Sequence, residues 1–164
     1  MSFESSSFSL FIKNNQLVFY SCFSFNFNMI IGVIEKTTEK NLSDLLERFV
    51  HERVEQTVFK KFKAIDEFDA LALLNKTKDM NQRILIVELN KEEPEKETAF
   101  YEALANWEAT TGLTVFKAVY YNDEEGQVIV EETAKEFIEK TYKVKLQEKA
   151  SEEEENDEFE LPGA

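Results

Sequence analysis

Between residues 83 and 122 three segments follow one another, and each ends on its own stop signal. Arg83-Ile84-Leu85-Ile86-Val87-Glu88-Leu89 is a near-continuous apolar run of strand length. Without apolar–polar alternation, such a run predicts a strand covered on both faces. Pro94 then stands where a helix tolerates proline best, in a first turn whose N–H groups have no partner in any case. From there to about 111, Ala99, Phe100, Ala103, Leu104 and Trp107 recur at helical spacing and predict one apolar stripe. Gly112 supplies the left-handed conformation on which helices end. The β-branched and aromatic run Val115-Phe116-Lys117-Ala118-Val119-Tyr120-Tyr121 predicts a second strand, closed by the turn Asn122-Asp123-Glu124-Glu125-Gly126. Two strands joined through a helix of about five turns form a βαβ unit, and a βαβ unit requires parallel pairing.

The same alternation extends upstream and downstream. Residues 29–34, with Ile30-Ile31-Gly32-Val33-Ile34, predict a first strand. A helix is expected from about 39 to 55, with Leu42, Leu45, Leu46, Phe49, Val50 and Val54 at spacings of three and four. Residues 57–63 predict a second strand whose lysines place it at a sheet edge. A helix follows from about 67 to 78, presenting Phe68, Leu71 and Leu74. After the βαβ unit a last helix is expected from about 131 to 145, with Ala134, Phe137, Ile138, Tyr142 and Val144 inward. Four βα repeats predict an α/β domain over 29–148 with three α/β/α layers. Its four-stranded, mostly parallel sheet is flavodoxin-like, with helices on both faces because the crossovers are right-handed. A chain of 164 residues has room for one such domain and not for two.

Two segments flank it. The first 28 residues hold seven Phe, seven Ser and four Asn but only two charges, Glu4 and Lys13. Residues 9–12 and 16–20 are expected to pair as a hairpin through Asn14-Asn15. A signal peptide fits poorly, since there is no basic start and Lys13-Asn14-Asn15 interrupts the apolar stretch. Met29, directly before a well-formed first strand, reads as a second possible start, which would make residues 1–28 an extension. At the other end, 149–164 is an acidic tail with too little apolar surface to order itself. Phe159 and Leu161 are its two large apolar side chains and its candidate anchors for a partner.

Charge and rare residues narrow the function classes. Seven carboxylates and no cation follow Ala150; without them a formal charge of −14 becomes −7. Phosphate neutralisation needs clustered Lys and Arg, so nucleic-acid binding is not expected. The lone Cys22 cannot form an internal disulfide or a cysteine zinc site, which suits a reducing, cytoplasmic setting. His51 is the single histidine, sits inside the first helix and has no carboxylate assigned to orient it, so a surface position is preferred to a general base. No apolar run has the length of a membrane span, and no metal-binding tract is visible.

Ligands of parallel α/β sheets sit beyond the carboxyl ends of the strands. The loops 35–38, 90–94 and 122–126 lie there, and Lys36, Thr37, Thr38, Asn90, Lys91 and Lys96 are the candidate ligand-binding residues. Thr38 also fits a helix N-cap, and that role is preferred. The loop 90–94 lacks glycine and carries Glu92 and Glu93, with Glu95 and Glu97 following. Acidic residues suit the start of a helix and repel phosphate, so a phosphate cradle is not expected. Trp107, Tyr120 and Tyr121 read as core or interface aromatics. No acid/base couple stands out, and the catalytic residues are unassigned.

Over about 30–145 the layout resembles the lumazine synthase family, nearest its archaeal riboflavin synthase branch. Gly32-Val33-Ile34 followed by Thr37-Thr38 is similar to that branch's opening strand and threonine pair. The stretch from Trp107 through Thr110-Thr111-Gly112 to Val119 is similar to the family's helix ending in Thr-Gly before its fourth strand. Asn122-Asp123-Glu124-Glu125 and the final helix with Ala134 also have counterparts. The resemblance implies a lumazine-synthase-like sheet between helices, homo-oligomers built as pentamers or their multiples, and a flavin- or lumazine-like ligand at sites shared between subunits. The family's catalytic loop is not matched: Asn90-Lys91-Glu92-Glu93-Pro94 stands where glycines are found, and Glu39 where an aromatic follows the threonine pair. Three readings follow. The favoured one is a diverged, non-catalytic oligomeric protein that binds a ligand or partner and requires no cofactor. The second is a flavin-biosynthesis transferase holding substrate with Lys36, Thr37, Thr38, Lys91 and Lys96. The third is an interaction module working through its acidic tail.

Overall fold

The computed structural model describes residues 8–13, 16–21, 28–39 and 41–146, the first two segments by their backbone alone. The acidic tail, with Phe159 and Leu161, lies outside the described residues, as does Cys22. Strands β1 (Phe8–Lys13) and β2 (Gln16–Ser21) pair antiparallel with Lys13 opposite Gln16, the pairing expected of these segments.

From Met29 the chain alternates as its patterning predicts. Strand β3 (Met29–Lys36) leads to α1 (Leu42–His51), β4 (Thr57–Lys63) and α2 (Glu67–Leu73), which tightens into a 3-10 turn over Leu74–Thr77. Then come β5 (Gln82–Leu89), α3 (Pro94–Thr111), β6 (Phe116–Tyr121) and α4 (Gly126–Tyr142). The four strands from β3 onward form one sheet in the order β4-β3-β5-β6, and every pair is parallel. Ile84 stands opposite Phe116 and Leu89 opposite Tyr121, so the βαβ reading of 83–122 holds. The lysine-rich β4 is an edge strand, as expected.

Burial explains the layers. Residues 83–89 are buried without interruption, and their side chains serve alternate faces, since strand side chains alternate sides. Ile84 and Ile86 join Leu42, Leu46 and Val50 of α1 and Val130, Ala134, Phe137 and Ile138 of α4. Leu85, Val87 and Leu89 join Ala70 and Leu74 of the α2 segment and Phe100 and Leu104 of α3. Each fully buried Leu, Ile or Phe contributes about 1.5–3 kcal/mol against its exposed state, so the two apolar clusters hold the three layers together. Gly32 is part of the fit: a Cβ there would lie 2.7 Å from Thr77 Cγ2 and 2.8 Å from Met80 Sδ, so the Thr77 and Met80 side chains could not keep their places against the strand.

Helix limits and faces depart from the sequence reading in five places. Helix α1 starts at Leu42, because the backbone of 37–39 is drawn into hydrogen bonds at the sheet end and Asn41 adopts φ 64°. Thr38 is therefore not its N-cap. Helix α2 gives way to the 3-10 turn at Leu74, and the Thr77 hydroxyl closes that turn by donating to Leu74 O at 2.7 Å. Phe68 of α2 faces outward; Glu67 beside it turns inward and pairs with Lys36 Nζ at 3.8 Å. Of the stripe expected on α3 only Phe100 and Leu104 are buried, while Ala99 and Ala103 are exposed. Phe100 and Leu104, one turn apart, face the core, and Ala99 and Ala103 each stand one residue round the helix from them. Helix α4 begins at Gly126, inside the expected turn, because a carboxylate from a distant loop holds its first N–H.

Candidate functional site

Helix α1 leaves β3 toward one face of the sheet, and α3 leaves β5 toward the other. The carboxyl ends of these neighbouring central strands are therefore the switch point, where a crevice opens in sheets of this order. The residues there are Lys36, Thr37, Thr38 and Glu39 after β3, Glu88 and Leu89 at the end of β5, and Tyr120 on β6.

Glu88 is the centre of the arrangement. It is 8% exposed, and its Oε1 accepts three hydrogen bonds: from Thr38 N at 2.8 Å, Thr38 Oγ1 at 2.8 Å and Thr37 Oγ1 at 3.2 Å. The Thr37 hydroxyl also lies in close contact with the Tyr120 hydroxyl and accepts from Glu39 N at 3.1 Å. Lys36 Nζ reaches across to donate to Glu88 O at 2.7 Å. Burial pulls the Glu88 carboxyl upward, but the bonds from Thr38 and Thr37 and the charge of Lys36 outweigh it, so its pKa lies below the ordinary value. Tyr120 moves the other way. Burial, with Glu88, Glu39 and Glu35 nearby, lifts its phenol to about 12 against the opposing Thr37 bond.

Glu39 closes the far side. Its Oε1 accepts the N–H of Gly126 at 3.0 Å, placing a carboxylate at the positive end of α4. A Cβ at position 126 would lie 2.6 Å from Tyr120 Cζ and 2.9 Å from that same Oε1, so only glycine lets helix, ring and carboxylate meet. Glu35, 3% exposed, has Lys63 Nζ at 3.8 Å from one oxygen and no hydrogen-bond partner for the other.

The six expected ligand residues divide into two groups. Lys36, Thr37 and Thr38 converge on Glu88. Asn90, Lys91 and Lys96 do not join them. Asn90 Oδ1 accepts from Glu92 N at 2.9 Å and shapes its own turn. Lys91 Nζ pairs with Asp123 at 3.2 Å, and Lys96 Nζ with Glu93 at 3.3 Å, both at the surface. Tyr120 is buried in the core, the Tyr121 hydroxyl donates to Glu97 at 2.7 Å, and Trp107 Nε1 donates to Asn75 at 3.0 Å. His51 ends α1 with Nε2 3.3 Å from Thr57 O and its ring edge-on to Phe59. The sequence reading missed Glu88, Glu39 and Gly126. The available signal for Glu88 was a single carboxylate near the carboxyl end of the apolar run 84–89 in a central strand.

Chemically, the crevice is acidic, and among its described residues Glu35 Oε2 is the buried side-chain atom that has no hydrogen-bond partner. The Lys36 ammonium is held by Glu88 O and by Glu67, the Thr37 and Thr38 hydroxyls donate to Glu88, and the Tyr120 hydroxyl meets that of Thr37. Among the described residues no group of three or more His, Cys, Asp or Glu side chains is arranged to hold a metal, and no helix is long and apolar enough to cross a membrane. No protein-family model matches the sequence, and no curated protein matches it.

Proposed function

We propose that this protein is a diverged relative of the lumazine synthase family that binds a partner or ligand as a homo-oligomer and does not catalyse flavin-precursor assembly. The observation that carries this reading is the closure of the switch-point crevice by Glu88, Thr37 and Thr38. A phosphate-bearing substrate needs free N–H groups and positive potential; here the donors already serve a carboxylate. Self-association draws support from the α2–α3 side, where Ile65 is 88% exposed and Phe68 and Tyr101 are each 42% exposed. Val58 on β4 and Val128 on α4 are also exposed, at 39% and 47%, so Ile65 is the side chain that departs furthest from an ordinary surface.

The test is native mass spectrometry of the full chain, with titration by riboflavin, lumazine and a ribityl-pyrimidine. The expected result is an assembly larger than a monomer and no turnover of any of the three. Turnover would refute the non-catalytic reading, and a monomer that binds none of them would refute the oligomeric binding protein.

A further inference from the structure

At the opposite end of the sheet, the amino ends of β5 and β6 and the last turns of α4 enclose a depression of about 570 Å³. Its lining includes Arg83, Lys117 and Lys140 against the single carboxylate of Glu136, in a chain whose formal charge is −14. Leu113 and Phe116 add apolar surface. Lys117 is held by Glu108 at 3.0 Å and Lys140 by Glu136 at 2.7 Å. Arg83 differs from both. It is 3% exposed and donates to three backbone carbonyls, those of Thr114, Met80 and Thr77, at 3.0, 2.8 and 3.4 Å. Its Nε has no hydrogen-bond partner, and among the described residues no carboxylate forms an ion pair with it. A guanidinium taken out of water without a counter-ion projects positive potential into the adjoining space.

The chain itself supplies the complementary charge from close by. Helix α4 ends at Tyr142, and Lys140 and Thr141 of its last turn line the depression. Lys143 then takes φ 56°, and Leu146 is tied back by its N–H to Glu139 Oε2 at 2.9 Å. Val144 and Leu146 pack against the α1–α4 cluster, so the polypeptide leaves the described domain at the amino end of the sheet, the end that carries this depression. Beyond it the sequence holds seven carboxylates, no cation, and the apolar pair Phe159 and Leu161. Phe159 is thirteen residues past Leu146, a span with a mean end-to-end distance of roughly 20 Å if flexible.

We propose that the acidic carboxyl-terminal segment docks in this depression on its own domain. Phe159 and Leu161 lie against Leu113 and Phe116, and the flanking carboxylates neutralise Arg83 and extend the Lys117 and Lys140 pairs. A tether this short gives an effective concentration on the order of millimolar, so an intrinsically weak contact is enough to occupy the site. The occupied state covers the amino end of the sheet and leaves the switch-point crevice untouched, so this inference is independent of the function proposed above.

The test compares amide NMR spectra of the full chain with those of a full-length variant carrying Glu152→Gln, Glu153→Gln, Glu154→Gln, Glu155→Gln and Phe159→Ala. The expected differences fall at 81–83, 112–117 and 136–141, are independent of protein concentration, and vanish as salt rises to about 0.5 M, where exposed charges are screened. Lys140→Glu, at a surface position, is expected to shift residues 112–117 toward their undocked positions in an otherwise unaltered chain. Spectra that differ only within the substituted segment would overturn the proposal. Differences that disappear when the protein is diluted to the monomer, as followed by native mass spectrometry, would assign the groove to the tail of a second copy and overturn docking within one chain.

Discussion

Replacing Glu88 by glutamine keeps the shape of the side chain and removes its charge, which isolates what the carboxylate contributes at the switch point. The Oε1 atom accepts three hydrogen bonds in the folded protein, two of them at 2.8 Å. A bond to a charged acceptor contributes about 1.5–3 kcal/mol, against about 0.5–1.5 for a neutral one. The loss summed over three bonds is offset by the burial cost that the carboxylate no longer carries, leaving a net destabilisation of about 2 kcal/mol. With a urea slope of about 2 kcal/mol per molar for a domain of this size, the unfolding midpoint falls by about 1 M at pH 7 with the slope unchanged. The pH dependence has a definite sign. The folded pKa lies below the reference of 4.5, so the stabilisation is complete above about pH 4.5 and disappears as pH falls through the lower folded value. Wild type and Glu88→Gln must therefore converge in acid. A difference at pH 7 below about 0.5 kcal/mol, the scatter of an ordinary surface substitution, would refute the claim that Glu88 fastens the loop after β3. A difference unchanged down to pH 3 would show that charge is not the cause.

Two further outcomes follow from the same region and from the core. Gly126→Ala is expected to destabilise the domain by about 1–3 kcal/mol through overpacking, because the new Cβ meets Tyr120 Cζ at 2.6 Å; an unchanged melting temperature would mean that α4 does not start against this ring. Tyr120 and Tyr142, both lifted to about 12 with burial as the first cause, are expected to ionise only well above pH 10 when phenolate absorbance is followed. Their contribution to stability is whole below pH 10 and is lost as pH rises toward 12. Ionisation of all tyrosines together near pH 10, with the fold intact, would contradict their burial.

The alternation of strands and helices was legible along the chain because each element obeys a local rule. The unbroken apolar run 84–87 needs cover on both faces, Pro94 and Gly112 punctuate a helix, and a strand–helix–strand order forces parallel pairing. The candidate site was legible only in part. Its position beyond the strand ends followed from topology, and Lys36, Thr37 and Thr38 do gather there. Their partner did not follow, because nothing local to Glu88 says that residues fifty positions earlier will supply its donors. The same limit hid Glu39 from Gly126, 87 positions apart, and so the true start of α4. It also left open which side of α2 turns inward: Ala70 and Leu74 enter the core, Glu67 on their stripe meets Lys36, and Phe68 is left outside. Periodicity and turn chemistry act between near neighbours, and so the sequence by itself determined the order and type of the elements. Hydrogen bonds between distant loops, and the potential around a buried Arg83, exist only once the sheet has brought its strand ends together; these the tertiary structure alone decided.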